Sequence, residues 1–114
     1  MGRVLLTQWT KPQPQLQTVT PVCMGSIISH KGPRDIAGPA LYYASPYSKT
    51  SRSNLTILAS DNNGASFDRS LNLWPGTAGY TGLACGLPGE QDCAVLYDSY
   101  QGLDFLRFAS KDVM

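Results

Sequence analysis

Seven short runs rich in β-branched and aromatic residues, at 26–29, 41–44, 54–59, 70–74, 80–84, 93–97 and 103–109, are separated by turn formers, and none carries the apolar spacing of a helix. This pattern restricts the chain to an all-β meander with no helix. The segments Lys31-Gly32-Pro33-Arg34-Asp35, Pro46-Tyr47-Ser48-Lys49, Asp61-Asn62-Asn63-Gly64 and Gly86-Leu87-Pro88-Gly89-Glu90 accept positive φ or preset turn geometry, so each separates two strands. Residues 10–22 hold Pro12, Pro14 and Pro21 and read as an extended connector.

With 114 residues the chain fits one domain and can hide about two thirds of its unfolded surface. The first four strands span roughly 50 residues, the period of one four-stranded propeller blade, and three more follow. The expected organisation is a blade over 23–75, an incomplete blade over 78–110, and 1–22 as a connector or the end of a preceding blade. A propeller closes only with about four to eight blades, so such a chain is expected to be part of a larger protein. A small two-sheet sandwich of the same strands is the structural alternative.

The formal charge is +1, and the nine Lys and Arg are scattered without a run, which sets aside nucleic acid and anionic membranes as partners. No stretch approaches the roughly 20 apolar residues of a membrane helix. The start Met1-Gly2-Arg3-Val4-Leu5-Leu6-Thr7 lacks the apolar run of a signal peptide, and Leu6 stands where myristoylation needs Ser or Thr. Cys23, Cys85 and Cys93 show no Cys-x-x-Cys, and His30 is the only histidine, so no metal site and no cofactor is expected. Cys85 and Cys93 can face each other across a hairpin, but without a secretion signal they read as unpaired core cysteines. His30 is expected to face solvent.

Ser60-Asp61-Asn62-Asn63-Gly64-Ala65-Ser66-Phe67 resembles the Asp-box of sialidases, Ser-x-Asp-x-Gly-x-Thr-Trp, on the hairpin joining the third and fourth strands of a blade. Asn62 replaces the Asp, Ser66 the Thr and Phe67 the Trp. The structural roles carry over: Asn62 can bond backbone groups of the turn, Gly64 can take the left-handed conformation, and Phe67 can plug between sheets. The box alone marks a turn and says little about catalysis. Around it, Pro21-Val22-Cys23-Met24-Gly25-Ser26-Ile27-Ile28, Leu41-Tyr42-Tyr43-Ala44-Ser45-Pro46, Arg52-Ser53-Asn54-Leu55, Ala78-Gly79-Tyr80-Thr81-Gly82-Leu83 and Val95-Leu96-Tyr97-Asp98 follow the order of sialidase segments over about residues 20–110.

The resemblance implies the C-terminal third of a six-bladed exo-α-sialidase propeller. Such enzymes remove terminal sialic acid from glycans with retention, using a tyrosine nucleophile. Sialic acid carries a carboxylate on its anomeric carbon, so a phenol made basic by a nearby Glu approaches where a second carboxylate would be repelled. By the resemblance Tyr80 is the nucleophile, with Gly79 and Gly82 permitting close approach. Arg52 is the third arginine of the clamp on the sugar carboxylate, a task suited to its fixed, permanently charged fork. Asp98 stands where the family has a Glu that orients another clamp arginine, one methylene short, so its support is made through a water or a shifted strand, or is lost.

The family's other two arginines, its acid/base Asp and the Glu paired with the tyrosine lie upstream in sialidases and have no match before Arg52. Glu90, the only Glu, reads as solvated in its turn, and the isolated chain is expected to be inactive. Asn54-Leu55-Thr56 is a glycosylation sequon, but Asn54, two residues after Arg52, is expected to share its strand face, so the sequon reads as incidental. The expected partners are sialylated glycans. The alternatives are a trans-sialidase, a sialic-acid-binding propeller without turnover, and a propeller scaffold for protein contacts.

Overall fold

The structure is a computed structural model describing residues 8–32 and 38–114. The expectations placed on Met1 to Thr7 and on Pro33, Arg34 and Asp35 of the first turn lie outside the described residues. The chain is all-β, with β1 (Ser26–Lys31), β2 (Pro39–Pro46), β3 (Ser53–Ser60), β4 (Arg69–Thr77), β5 (Thr81–Cys85), β6 (Cys93–Ser99) and β7 (Gly102–Phe108), followed by α1 (Ser110–Val113). Each expected run coincides with one strand. The short helix was not expected; it forms because the Asp92 carboxylate accepts the Ser110 N–H at 2.8 Å and satisfies a donor that the first turn leaves free.

Consecutive strands pair antiparallel into two sheets, β1-β2-β3-β4 and β5-β6-β7. Alternation along the strands selects one face of each for the shared core. Ala40, Tyr42 and Ala44 of β2 and Leu55, Ile57 and Ala59 of β3 meet Cys93, Val95 and Tyr97 of β6 and Phe108 of β7, all buried. Leu71 and Leu73 of β4 and Leu83 of β5 close the margins. Burying a side chain such as Ile57 or Val95 contributes about 1.5–3 kcal/mol.

Where β1 lies beside β5, the Ser26 and Thr81 hydroxyls are 3.1 Å apart, and Thr81 also donates to the Ala44 carbonyl at 2.9 Å. At the far end of β1, His30 meets Asp92 of the β5–β6 loop at 2.9 Å. The sheets are therefore joined by polar contacts at both ends and by apolar side chains between. The opposite face of the second sheet stays open, with Leu96, Leu103 and Phe105 exposed. Leu96 and Phe105 stand directly opposite each other in the β6–β7 register.

Two expectations are corrected by the register. Cys85 and Cys93 are direct cross-strand partners in the β5–β6 pair and form a disulfide, rather than two free core thiols; Cys23 remains free. Asn54 does not share a face with Arg52. The β3–β4 register shifts on both sides of Leu55, and Asn54 takes φ 69°, a bulge that breaks the alternation on which that placement relied. Asn54 turns instead to the Tyr47 carbonyl, at 3.3 Å, and to Asn72, at 3.4 Å.

Ile57→Ala is expected to lower the unfolding free energy by about 2–5 kcal/mol in urea titration, because it opens a cavity at the sheet interface. A change no larger than that of an exposed-site substitution would show that the two sheets do not share this core.

Candidate functional site

Because every connection reverses the chain, alternate connections lie at the same end of the molecule. The β2–β3 loop with Arg52, the β4–β5 connection with Tyr80, and the end of β6 with Asp98 share one end; the β3–β4 and β5–β6 turns share the other. Alternation of direction thus gathers three residues far apart in sequence. The Arg52 guanidinium carbon lies 5.1 Å from the centroid of the Tyr80 ring, within cation–π range. Tyr80 is half exposed.

Backbone bonds hold this arrangement. The Ala78 N–H donates to the Arg52 carbonyl at 3.0 Å, the Gly79 N–H to the Asp98 carbonyl at 2.9 Å, and the Asp98 N–H to the Tyr80 carbonyl at 3.0 Å. Tyr80 precedes β5 instead of lying within it, so its ring is not committed to the core. A Cβ on Gly79 would stand 3.2 Å from the Asp98 Cβ, so the close approach there requires glycine or a shift of Asp98. Gly82 differs from expectation: a Cβ there would meet open space, because its outward position on β5 faces no other element.

Arg52 donates to the Val22 carbonyl at 3.3 Å, and among the described residues it forms no ion pair with Asp98. What the constellation offers chemically is a planar cation with donors to spare over an accessible phenol. Glu90 lies at the other end of the molecule, highly exposed and 3.9 Å from Lys111.

The segment resembling an Asp-box joins β3 to β4. Asn62 Oδ1 accepts from the Ser60 hydroxyl at 2.8 Å and the Ser66 N–H at 3.0 Å, while its amide donates to the Ser66 hydroxyl at 2.8 Å. The Ser60 hydroxyl accepts from the Gly64 N–H at 2.9 Å, and Gly64 takes φ 86°. Asn62 thus satisfies the turn without a carboxylate. Phe67 is buried, but with Leu16 and Leu58 beside a cavity of about 670 Å³ under the connector, on the face of the first sheet away from the second. Gln17 ties the connector to this turn, accepting from the Phe67 N–H at 2.6 Å and donating to Asp68 at 2.8 Å. Hydrogen bonds from Gln17 and Ser66 hold the Asp68 carboxyl below the usual carboxylate range.

A second polar cluster was not foreseen. His30 is largely buried, not solvent-facing, because β1 sets its ring against the β5–β6 loop, where Nε2 meets Asp92 Oδ2 at 2.9 Å. The Ser110 hydroxyl donates to the same oxygen at 2.8 Å, and the Asp92 carbonyl accepts from Gly86 and Leu87 at 2.9 and 3.0 Å. Arg107 braces the loop by donating to the Pro88 carbonyl at 2.9 Å and the Gln91 carbonyl at 3.0 Å. Burial works to raise the Asp92 pKa, but the bonds from the Ser110 N–H, His30 and the Ser110 hydroxyl outweigh it and hold it at about 2. Tyr42, beside the cluster, is raised by burial despite a bond with Ser110. No signal in the sequence links residues 30, 92 and 110; only the strand order brings them together.

A carboxylate depressed in the folded state adds stability above its unfolded pKa, and that contribution is lost as pH falls through the folded value. Unfolding free energy is therefore expected to drop between about pH 4 and about pH 2, with a shallower fall in Asp92→Asn, as followed by urea titration at stepped pH. Identical slopes in the two proteins would show that Asp92 is not held in this way.

No protein-family model matches the chain, and no curated protein matches it.

Proposed function

We propose that this chain is the C-terminal part of a sialidase-like β-propeller acting on terminal sialic acid of glycans, with Arg52 as a clamp on the sugar carboxylate and Tyr80 as the nucleophile. The observation that carries the reading is the convergence at one end of the molecule of an arginine fork and an accessible tyrosine, 5.1 Å apart and tied by backbone bonds to the end of β6. A guanidinium beside a phenol suits a substrate whose carboxylate sits on the carbon to be attacked: the cation fixes the carboxylate, and the phenol brings no opposing charge.

Three further features support a propeller in which this chain supplies about two blades. The strands divide four and three, so the second sheet lacks the fourth strand of a blade. Leu96, Leu103 and Phe105 offer an apolar face that the neighbouring blade of a closed ring would cover. In the β3–β4 hairpin that resembles an Asp-box, Asn62 bonds the turn in the role the resemblance assigns to the Asp.

A second reading, a sialic-acid-binding propeller without turnover, is favoured by Asp98. Its carboxylate lies against Gly79, and Arg52 spends a donor on the Val22 carbonyl. In that case Arg52 keeps the sugar and Tyr80 attacks nothing.

The two readings part in the intact protein to which this chain belongs. Tyr80→Phe is expected to abolish hydrolysis of a fluorogenic sialoside while leaving its binding within about twofold, and Arg52→Lys to weaken binding by about tenfold or more through loss of the paired bonds. Sialoside binding without turnover in the unsubstituted protein would favour the lectin. Unchanged binding in Arg52→Lys would remove the clamp from both readings.

A further inference from the structure

The end of the molecule opposite Arg52 and Tyr80 carries an independent constellation. One ring nitrogen of His30 and the sulfurs of Cys85 and Cys93 all lie within 4.8 Å of one another. The two sulfurs meet because Cys85 and Cys93 are cross-strand partners, and the imidazole joins them because β1 packs beside β5. We propose that His30, Cys85 and Cys93 form a redox-gated site for a thiophilic divalent cation, Zn²⁺: closed by the disulfide in the oxidised chain and assembled when the bond is reduced.

The ligand chemistry fits this class of metal. Thiolate sulfur binds zinc at about 2.3 Å and imidazole nitrogen at about 2.0–2.1 Å, so tetrahedral geometry sets ligand atoms roughly 3.4–3.8 Å apart. The three ligand atoms lie within 4.8 Å of one another, close to that spacing. Two sulfurs and one nitrogen select a soft or borderline cation over calcium or magnesium, which take oxygen. Three protein ligands leave the fourth position to water.

His30 is also supported as metal-binding histidines are. In the proposed site Asp92 keeps Nε2, which it meets at 2.9 Å, and Nδ1 coordinates; Asp92 is fixed in turn by Ser110 and by the Gly86 and Leu87 amides. A carboxylate on the far nitrogen fixes both tautomer and ring orientation. Asp92 stays in that supporting position and is not counted as a ligand. His30 and Cys85 each keep a minor part of their surface exposed, which leaves a route for the ion from solvent.

The gating step balances with a phosphine reductant. Phosphorus attacks one sulfur of the disulfide, the S–S bond breaks, and water supplies the oxygen of the phosphine oxide and the two protons that leave the sulfurs as thiols. The cation then displaces both thiol protons on binding.

The test uses the full chain carrying Cys23→Ser, which removes the remaining thiol, reduced with a water-soluble phosphine, freed of reductant without air and titrated with Co²⁺ as a spectroscopic stand-in for Zn²⁺. One equivalent should produce a thiolate-to-cobalt charge-transfer band with intense tetrahedral d–d bands, both erased by Zn²⁺, while the unreduced chain gives neither. His30→Gln, whose amide can still donate to Asp92, should weaken Co²⁺ binding by about tenfold or more. Absence of the charge-transfer band after reduction, or an unchanged affinity and spectrum in His30→Gln, would overturn the proposal. Since His30 is the only histidine, its ring resonances in the ¹⁵N-labelled reduced chain report coordination without that substitution. They should shift on Zn²⁺ addition, and unmoved resonances would equally overturn it.

Discussion

The packing of Leu55, Ile57 and Ala59 against Val95, Tyr97 and Phe108 sets everything else in the molecule. It fixes how the four-stranded sheet lies on the three-stranded one, and with that which loops share an end. β1 and β5 run side by side, so the Ser26–Thr81 contact marks one end and the His30–Asp92 contact the other. Neither polar cluster has a scaffold of its own. Arg52 meets Tyr80, and His30 meets the sulfurs, only while the apolar interface holds the sheets in this relation.

The two ends then differ in chemistry for reasons that lie in their connections. At one end the loops are polar, the Asn54 bulge turns the chain after Arg52, and Tyr80 stands just outside its strand with its ring half exposed. At the other, the hairpin around Asn62 and the loop before Asp92 are dense in side chain to backbone bonds, and a disulfide joins β5 to β6. One end is built for access and the other for rigidity. That division is the one expected where a binding site is carried by a fixed scaffold.

Strands were legible because their signal is local: alternating apolar and β-branched residues between turn formers named all seven strands, with Gly64 and Asn62 marking the β3–β4 turn. The Arg52–Tyr80–Asp98 grouping was legible only through a resemblance in motif order, since nothing within a strand's period links residues 18 positions apart or more. Three features depended on pairing and escaped. His30 is buried by an element 62 residues away, Cys85 and Cys93 bond because one register among several sets them opposite, and Asn54 leaves the face of Arg52 because a bulge breaks the alternation. Each is a matter of register or sheet packing, which a strand pattern does not specify.

The most direct test of the account is to trap the intermediate. A fluorinated sialosyl donor, which slows breakdown of a glycosyl-enzyme more than its formation, is incubated with the protein in its native full-length form, and peptide mapping by mass spectrometry locates the adduct. The account predicts a single sialosyl adduct on the peptide holding Tyr80, absent in Tyr80→Phe. An adduct on another residue, or turnover of the parent sialoside with no adduct formed, would contradict it.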